Sequence, residues 1–253
     1  MIYTIADTHL SFSSGKPMDI FGKKWENHAE KIKKGFRKIK DNDTVIIPGD
    51  ISWAMNLAQA YEDLKFLNDL PGEKIIGKGN HDFWWATMKK LNAFREENKL
   101  YRIKFLYNNA YVVENKIICG TRGWMTDDGK KQESDHIMKH EAQRLEMSIS
   151  EGLKLKEDYP KNEIVVFLHY PPVFGKFINY DMIDILYKNK IKNVYYGHLH
   201  NMTEGMAETE YMGIKMHLVS ADYINFCPIC VNKGEKSGCF ARIYKKALDF
   251  IHK

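Results

Sequence analysis

At residues 74–82 the chain reads Lys74-Ile75-Ile76-Gly77-Lys78-Gly79-Asn80-His81-Asp82. Its apolar beginning indicates a short buried strand, and the glycines that follow indicate a turn. In open α/β sheets, functional groups gather just past the carboxyl ends of the strands. The stretch therefore predicts a strand that delivers an amide, an imidazole and a carboxylate to one edge of a sheet.

Four other apolar runs end in the same way, with metal-binding side chains directly behind a strand-like segment. They cover residues 2–5, 44–47, 164–168 and 194–196, and they precede, in that order, Asp7 with His9, Asp50, His169, and His198 with His200. Because strand ends meet at one edge of a sheet, these side chains can converge on one cavity. Each segment alone is more often a solvated loop, but five such segments favour a shared site.

The predicted site mixes nitrogen and oxygen donors. Histidines supply imidazole nitrogens, and Asp7, Asp50 and Asn80 supply oxygens. This mixture suits divalent or trivalent ions of Mn, Fe, Zn or Co, whereas Mg and Ca sites are built from oxygen ligands. Asp50 follows a glycine and can bridge two ions through its two oxygens. The sequence thus predicts a site for two transition-metal ions.

The ordered set Asp-x-His, Gly-Asp, Gly-Asn-His-Asp, His and Gly-His-x-His resembles the calcineurin-like metallophosphoesterase superfamily over residues 7–200. The resemblance implies an α/β fold, a four-layer α/β/β/α sandwich of two packed mixed sheets with a dinuclear site at one edge. It assigns one metal to Asp7, His9, Asp50 and His200. It assigns the other metal to Asp50, Asn80, His169 and His198.

The resemblance also implies a reaction, which is hydrolysis of phosphomonoesters or phosphodiesters. Two ions about 3.5–4 Å apart clamp the attacking and leaving oxygens and acidify a bridging water to hydroxide. His81 would be the acid that faces the leaving group, and Asp82 would orient it. A histidine suits this task because its pKa lies near neutral pH.

The segment Gly49-Asp50-Ile51-Ser52-Trp53-Ala54-Met55 departs from the protein Ser/Thr phosphatases of this superfamily. Those enzymes carry an arginine that grips the substrate phosphate at the place of Ala54. An alanine cannot bind an anion, so the departure disfavours a phosphoprotein phosphatase and favours small diesters or monoesters. The sequence of this segment is similar to that of a group of bacterial predicted phosphohydrolases.

Another arginine, Arg122, follows the predicted strand at 116–119 and could bind phosphate through its planar guanidinium. The alternative is a surface arginine that makes a weak ion pair. Five aromatic residues also stand near the motifs, and they could form a wall beside the site or belong to the core: Trp53, Phe83, Trp84, Trp85 and Trp124. A core position is the more common fate of large aromatic side chains.

Two further groups of potential ligands stand outside these motifs. Cys227, Cys230 and Cys239 could offer three thiolates to a structural zinc, although unliganded thiols are the simpler reading because a second cysteine pair is missing. His136 and His140 are spaced like a zinc-binding pair on a helix, but no third ligand is evident, which favours a solvated face.

Composition and element order predict one cytoplasmic domain over residues 1–253. The chain begins directly with a strand, which leaves no room for a signal peptide, and no apolar run is long enough to cross a bilayer. Apolar residues recur at helical spacing within 29–39, 57–67, 88–94 and 134–157, whereas residues 110–113, 116–119, 214–220 and 240–244 have the character of strands. The helix within 134–157 could cap the site or form an interface.

The expected partner is a small phosphorylated substrate, with no membrane partner and an oligomeric state that the sequence leaves open. A second enzymatic hypothesis is a nuclease, for which DNA or RNA would be the substrate. The formal charge of +5 comes from 38 basic and 33 acidic side chains without a basic cluster, which disfavours tight duplex binding. A non-catalytic interaction module on the same fold is a third reading, which the presence of His81 and of all presumed ligands disfavours.

Overall fold

A computed structural model describes residues 1–126, 131–203 and 208–231 of the chain. The helices are α1 (His28–Gly35), α2 (Leu57–Asp69), α3 (Met88–Glu97), α4 (Lys131–Asp158) and α5 (Tyr180–Lys188). Short 3₁₀ helices cover Asp19–Phe21, Lys23–Trp25 and Phe36–Lys38.

The strands are, in chain order, β1 (Ile2–Thr4), β2 (Thr44–Pro48), β3 (Glu73–Gly77), β4 (Ile103–Phe105), β5 (Ala110–Val113), β6 (Lys116–Thr121), β7 (Glu163–Leu168), β8 (Val173–Phe174), β9 (Phe177–Ile178), β10 (Asn193–Tyr196), β11 (Glu208–Tyr211), β12 (Ile214–Leu218) and β13 (Ile229–Cys230). The five strands predicted before the motifs are confirmed to within two residues at each end, and so are the hairpin of β5 and β6 and strand β12. The strand predicted at 240–244 lies outside the described residues.

The strands form two mixed sheets. The first has the order β13-β1-β2-β3-β4, with parallel pairs from β1 to β4 and an antiparallel edge strand, β13. The second has the order β11-β12-β10-β7-β6-β5, with antiparallel pairs at both edges. Parallel central strands are buried on both faces, which explains the continuous β-branched runs in β2 and β7.

Alternate residues of the second sheet face different layers. Ile118, Val165 and Phe167 share a core with the first sheet and with α2 and α3. Their neighbours along the chain, such as Ile117 and Val166, share a second core with α4 and α5. The two sheets therefore pack face to face between outer helices, which confirms the predicted four-layer α/β/β/α sandwich.

The two sheets are tied together just past the carboxyl ends of their strands. The Ala6 amide donates to the Val219 carbonyl at 2.7 Å, and the Ala221 amide donates to the Ala6 carbonyl at 2.9 Å. The chain leaving β1 thus meets the chain leaving β12, and all five predicted motifs follow strands that end at this edge. Over the described residues, the structure shows no helix with the length and apolarity that a bilayer crossing requires.

Candidate metal centre

Four of the predicted ligands have left-handed backbone conformations. The φ angles are 57° at Asp7, 44° at His9, 50° at Asp50 and 69° at His198. Such angles cost free energy in residues other than glycine and cluster at functional sites, where the surrounding structure maintains them. Each one turns the chain where it leaves a strand, at the edge where the motifs meet.

Two glycines allow the motif loops to approach closely. A Cβ at Gly79 would overlap the backbone and carboxylate of Asp50, and a Cβ at Gly197 would overlap Asp7. The backbone amide of His198 donates to both carboxylate oxygens of Asp7 at 3.0 Å, and that of His81 donates to Oδ1 of Asp50 at 2.8 Å. The glycines of both motifs are therefore required for packing beside a carboxylate.

One group of possible ligands consists of Asp7, His9 and His200, whose ligand atoms lie within 4.8 Å of one another. Nε2 of His9 lies 3.3 Å from Nε2 of His200 and 3.7 Å from Oδ2 of Asp50. Two ligands of one ion at usual Zn–N distances stand about 3.3 Å apart in tetrahedral geometry. The donors and their spacing therefore fit a cation, and three of the four residues assigned to the first metal are in contact range here.

A second group consists of Asp7, Asp50 and His169, which also lie within 4.8 Å of one another. Nδ1 of His169 is 3.6 Å from Oδ1 of Asp7, and Nε2 is 3.5 Å from Oδ2 of Asp50. The same Nε2 is 2.6 Å from Oδ1 of Asn80. The structure thus brings together three of the residues assigned to the second metal and adds Asp7 to them.

The His198 ring lies beside this second group. Its centroid is 5.1 Å from that of His169 and 4.1 Å from that of Tyr170. Burial lowers the pKa of His198 to about 4, so the ring is neutral and its nitrogens can bind a cation. Its assignment to the second metal stays a prediction.

The electrostatics of the buried groups favour a cation. Burial raises the pKa of the Asp7 carboxyl to about 6 and raises the pKa of Asp50 well above its usual value. Burial also lowers the pKa of His9 and His169 well below the usual range, with repulsion from neighbouring imidazoles adding to the effect. Two carboxylates that are costly to ionise, surrounded by neutral imidazoles, form a site that a metal ion stabilises.

The sequence analysis did not select Asp222, whose carboxylate holds the ring of His200, one of the predicted ligands. The Asp222 carboxylate is fully buried and lies 2.9 Å from Nδ1 of His200, and it accepts from the Asn201 amide at 2.8 Å. Although burial opposes protonation of His200, the hydrogen bond to Asp222 raises the pKa of this ring. Carboxylate partners of this kind fix the tautomer of a metal-binding histidine. The sequence did contain a signal for Asp222, since this residue lies two positions after the strand predicted at 214–220.

His81 lies at the rim of the site and is half-buried. Its ring centroid is 4.2 Å from the Trp53 ring and 5.7 Å from the His9 ring. Burial lowers the pKa of His81 to about 4, and the positive charge of Lys16 contributes to this shift. The ring is therefore close to the predicted ligands without belonging to either group of them.

Asp82 lies beneath the motif loops. The resemblance assigns it the orientation of His81, but its carboxylate is committed to other groups. It accepts hydrogen bonds at 2.7–3.1 Å from the amides of Ile51, Ser52 and Gly79 and from Nε1 of Trp84. Among the described residues, the hydrogen bonds of Asp82 therefore join the loop after β2 to the loop after β3, and none reaches the His81 ring.

Arg122 is placed beside the site by its backbone. Its carbonyl accepts from the amides of His169 at 3.0 Å and Tyr170 at 2.8 Å. Its guanidinium lies over the Trp124 ring and donates to Glu141 at 3.1 Å. Because Glu141 is buried and carries the opposite charge, this arrangement matches the ion-pair alternative. Contact between Arg122 and a substrate stays a prediction.

Of the aromatic residues near the motifs, some form a wall beside the site and others belong to the core. Trp53 stacks on His9 with a centroid distance of 5.0 Å, so it forms part of a wall beside the site. Trp84 is buried and donates to Asp82, whereas the exposed Phe83 reaches the surface. Trp25, which sequence reasoning did not select, is buried with its ring 5.7 Å from His9 and 5.5 Å from His200. A tryptophan thus lies on each of two sides of His9.

The remaining candidate ligands lie apart from these groups. Cys227 and Cys230 carry free thiols, and Cys239 lies outside the described residues, so a structural zinc there stays a prediction. His136 and His140 contact each other on the exposed face of α4, with 3.3 Å between their Nε2 atoms. Over the described residues, no third ligand joins this pair.

Comparisons with known proteins agree with this geometry. Residues 1–202, which contain every predicted ligand, match the model of the calcineurin-like phosphoesterase family. A search of curated proteins gives no significant match.

Two solved structures share the fold. One is a protein of unknown function from Aquifex aeolicus, 18% identical, with a TM-score of 0.51 over 90% of this chain and 94% of that chain. The other is the phosphopantetheinyl hydrolase from Mycobacterium tuberculosis, 11% identical, with a TM-score of 0.54 over 93% of this chain and 97% of that chain. With the family match over most of its length, the chain belongs to the calcineurin-like phosphoesterase family.

Proposed function

We propose that this protein is a dinuclear metal-dependent hydrolase of small phosphomonoesters or phosphodiesters. The observation that carries the proposal is the convergence of two ligand groups that share Asp7, one with His9 and His200 and the other with Asp50 and His169. Family membership supports hydrolysis of a phosphoester, and the name of the M. tuberculosis neighbour, a phosphopantetheinyl hydrolase, agrees with it.

The donor set fits two ions of the Mn, Fe, Zn or Co type. One would be held by Asp7, His9, Asp50 and His200, and the other by Asp50, Asn80, His169 and His198, with Asp7 close enough to contribute to both. When bound, such a pair neutralises the charge of the phosphoryl group and supplies an acidified water at neutral pH. Asp222 fixes the orientation of the His200 ring, and Tyr170 and Trp25 exclude water from two sides.

His81 is proposed to donate a proton to the leaving oxygen of the ester. Its ring is at the rim, in contact with Trp53, where a leaving group would depart. The negative charge of a bound phosphoester would raise the pKa of His81 from its low value, because an opposite charge favours the imidazolium form. Asp82 is proposed to act through the loops whose amides it binds, and thus to position Asn80 and His81 together.

The surroundings of the site favour a small substrate. Ala54 is fully buried and offers no charge, and the cavity bounded by His9, Trp25, Trp53, His81 and His200 has a volume of about 110 Å³. Cavities that enclose drug-sized ligands are larger, at about 300–1,000 Å³. The cavity therefore has room for a phosphoryl group, and the uncharged Ala54 is the feature that disfavours a phosphoprotein.

The proposal is tested by kinetics of the Mn-reconstituted protein on three substrates, nitrophenyl phosphate, bis(nitrophenyl) phosphate and a phosphopeptide. We expect both small esters to be hydrolysed with a higher kcat/KM than the phosphopeptide, and activity to disappear with a chelator. A clear preference for the phosphopeptide would contradict the argument from Ala54. Single-stranded and duplex DNA belong in the same assay, because faster cleavage of DNA would favour the nuclease reading.

A further inference from the structure

Lys16 lies in the segment between β1 and α1, beside the metal centre. Its Nζ is 3.1 Å from the centroid of the Trp53 ring and 5.9 Å from that of Phe21. An ammonium over the face of a tryptophan is attracted by the ring, which restrains a side chain that would otherwise sample many rotamers. The charge of Lys16 therefore has a defined position.

That position is next to the groups expected to act on the substrate. The Trp53 ring that carries Lys16 lies 4.2 Å from the His81 ring and 5.0 Å from the His9 ring, measured between centroids. The Lys16 ammonium is therefore separated from both imidazoles by no more than the Trp53 ring, at the rim where the phosphoester would bind.

Within the described parts of the chain, no carboxylate forms an ion pair with Lys16. Among the ion pairs of residues 1–126, 131–203 and 208–231, each of Arg122, Lys65 and Lys116 has an acidic partner, and none involves Lys16. A half-buried lysine that none of the described carboxylates pairs with, held over the Trp53 ring, keeps its N–H donors for an anionic ligand. Arg122, in contrast, is already paired with the buried Glu141.

We propose that the Lys16 ammonium binds a phosphoryl oxygen of the substrate and thereby supplies the positive charge that Ala54 does not. The inference rests on the proposed function of the same site. Lysine interacts with phosphate as a point charge, so its contribution grows with the charge of the ligand. Lys16 should therefore favour dianionic monoesters over monoanionic diesters.

The test compares the Mn-reconstituted wild-type protein with Lys16→Gln, Lys16→Arg, Arg122→Gln and Lys23→Gln. Lys23 is an exposed lysine of the same segment, so its variant removes the same charge away from the site. Two quantities are measured, binding of inorganic phosphate by calorimetry and kcat/KM for nitrophenyl phosphate and bis(nitrophenyl) phosphate. Circular dichroism checks that each variant is folded.

Lys16→Gln is expected to weaken phosphate binding by about 10-fold or more, as for loss of a hydrogen bond to a charged group. It should lower kcat/KM for the monoester more than for the diester. Lys16→Arg should recover most of the binding, and Lys23→Gln should bind phosphate like the wild type. Arg122→Gln should change phosphate binding less than Lys16→Gln does.

Equal phosphate binding by Lys16→Gln and Lys23→Gln would overturn the inference, and so would a wild-type protein that binds no phosphate. A larger loss in Arg122→Gln would assign the phosphate contact to Arg122 instead. A wild-type protein that binds phosphate through Lys16 but hydrolyses no ester would refute the proposed function and leave the Lys16 contact standing. The binding measurement therefore separates the two claims.

Discussion

At the scale of single residues, His81 is the group whose role is most open to measurement. It contacts Trp53 at the rim and belongs to neither ligand group. His81→Ala should lower kcat by about 10²–10⁴-fold for an alkyl phosphate, because protonation of an alkoxide leaving group is lost. The loss should shrink for nitrophenyl phosphate, whose leaving group needs no proton.

The control for His81→Ala is His136→Ala, which removes an exposed imidazole from α4. Metal content should be near normal in both variants. An equal loss of kcat for alkyl and nitrophenyl esters in His81→Ala would contradict the role of a general acid.

Single residues also show what sequence can and cannot reveal. The convergence of the predicted ligands could be expected because each one follows a recognisable strand, and the edge of a sheet then brings the strand ends together. The contacts of Trp25, Lys16 and Asp222 join segments far apart in the chain, and no spacing rule predicts such contacts. Asp222 was the nearest to recognition, because it follows a strand as the predicted ligands do.

At the scale of elements, Asp82 connects β2 to β3 through their outgoing loops. Asp82→Ala would leave four donors without their acceptor, among them the amides of Ile51 and Gly79. We expect a loss of about 3 kcal/mol in the free energy of unfolding, measured by urea denaturation, because unsatisfied buried donors are costly. Metal affinity should fall as well, since these loops carry Asp50 and Asn80.

The matched control for Asp82→Ala is Asp69→Ala, which removes an exposed carboxylate from α2 and its surface ion pair with Lys65. Such pairs contribute little, so this variant should unfold close to the wild type. If Asp82→Ala lowered kcat without any loss of stability, Asp82 would act through His81 and not through the loops.

Element prediction succeeded where burial on both faces gives a strand a continuous apolar run, as in β2 and β7. It missed α5, whose buried residues Met182, Ile183 and Leu186 are few and closely followed by polar residues. It also missed β4 and β13, because each is too short for a pattern to stand out. These elements depend on packing against neighbours, which a local pattern does not contain.

At the scale of the whole molecule, the four layers followed from the family resemblance, whereas the strand order depends on contacts that only the structure shows. The protonation of the predicted ligands is also a property of the whole molecule, because it depends on how deeply the fold buries them. His9 and His169 are kept neutral by burial, and Asp7, with a pKa of about 6, takes up a proton as the pH falls. A cation must displace that proton to bind.

The affinity for Mn²⁺ should therefore weaken as the pH falls through about 6, because Asp7 takes up a proton there and His200, whose pKa is raised by Asp222, is protonated as well. The expected slope is about tenfold per pH unit for each proton displaced. Calorimetric titration between pH 5 and pH 8 measures this dependence. A constant affinity across that range would show that Asp7 is not a ligand.

The number of metal ions bound per chain tests the central claim most directly. Asp7 and Asp50 each lie within reach of more than one imidazole, which is the arrangement that a pair of ions requires. Elemental analysis of the Mn-saturated protein should give two ions per chain, and Asp50→Asn, which removes one negative charge from the centre, should lower that number together with most of the activity. A value of one ion or fewer in the fully reconstituted wild-type protein would contradict the dinuclear site.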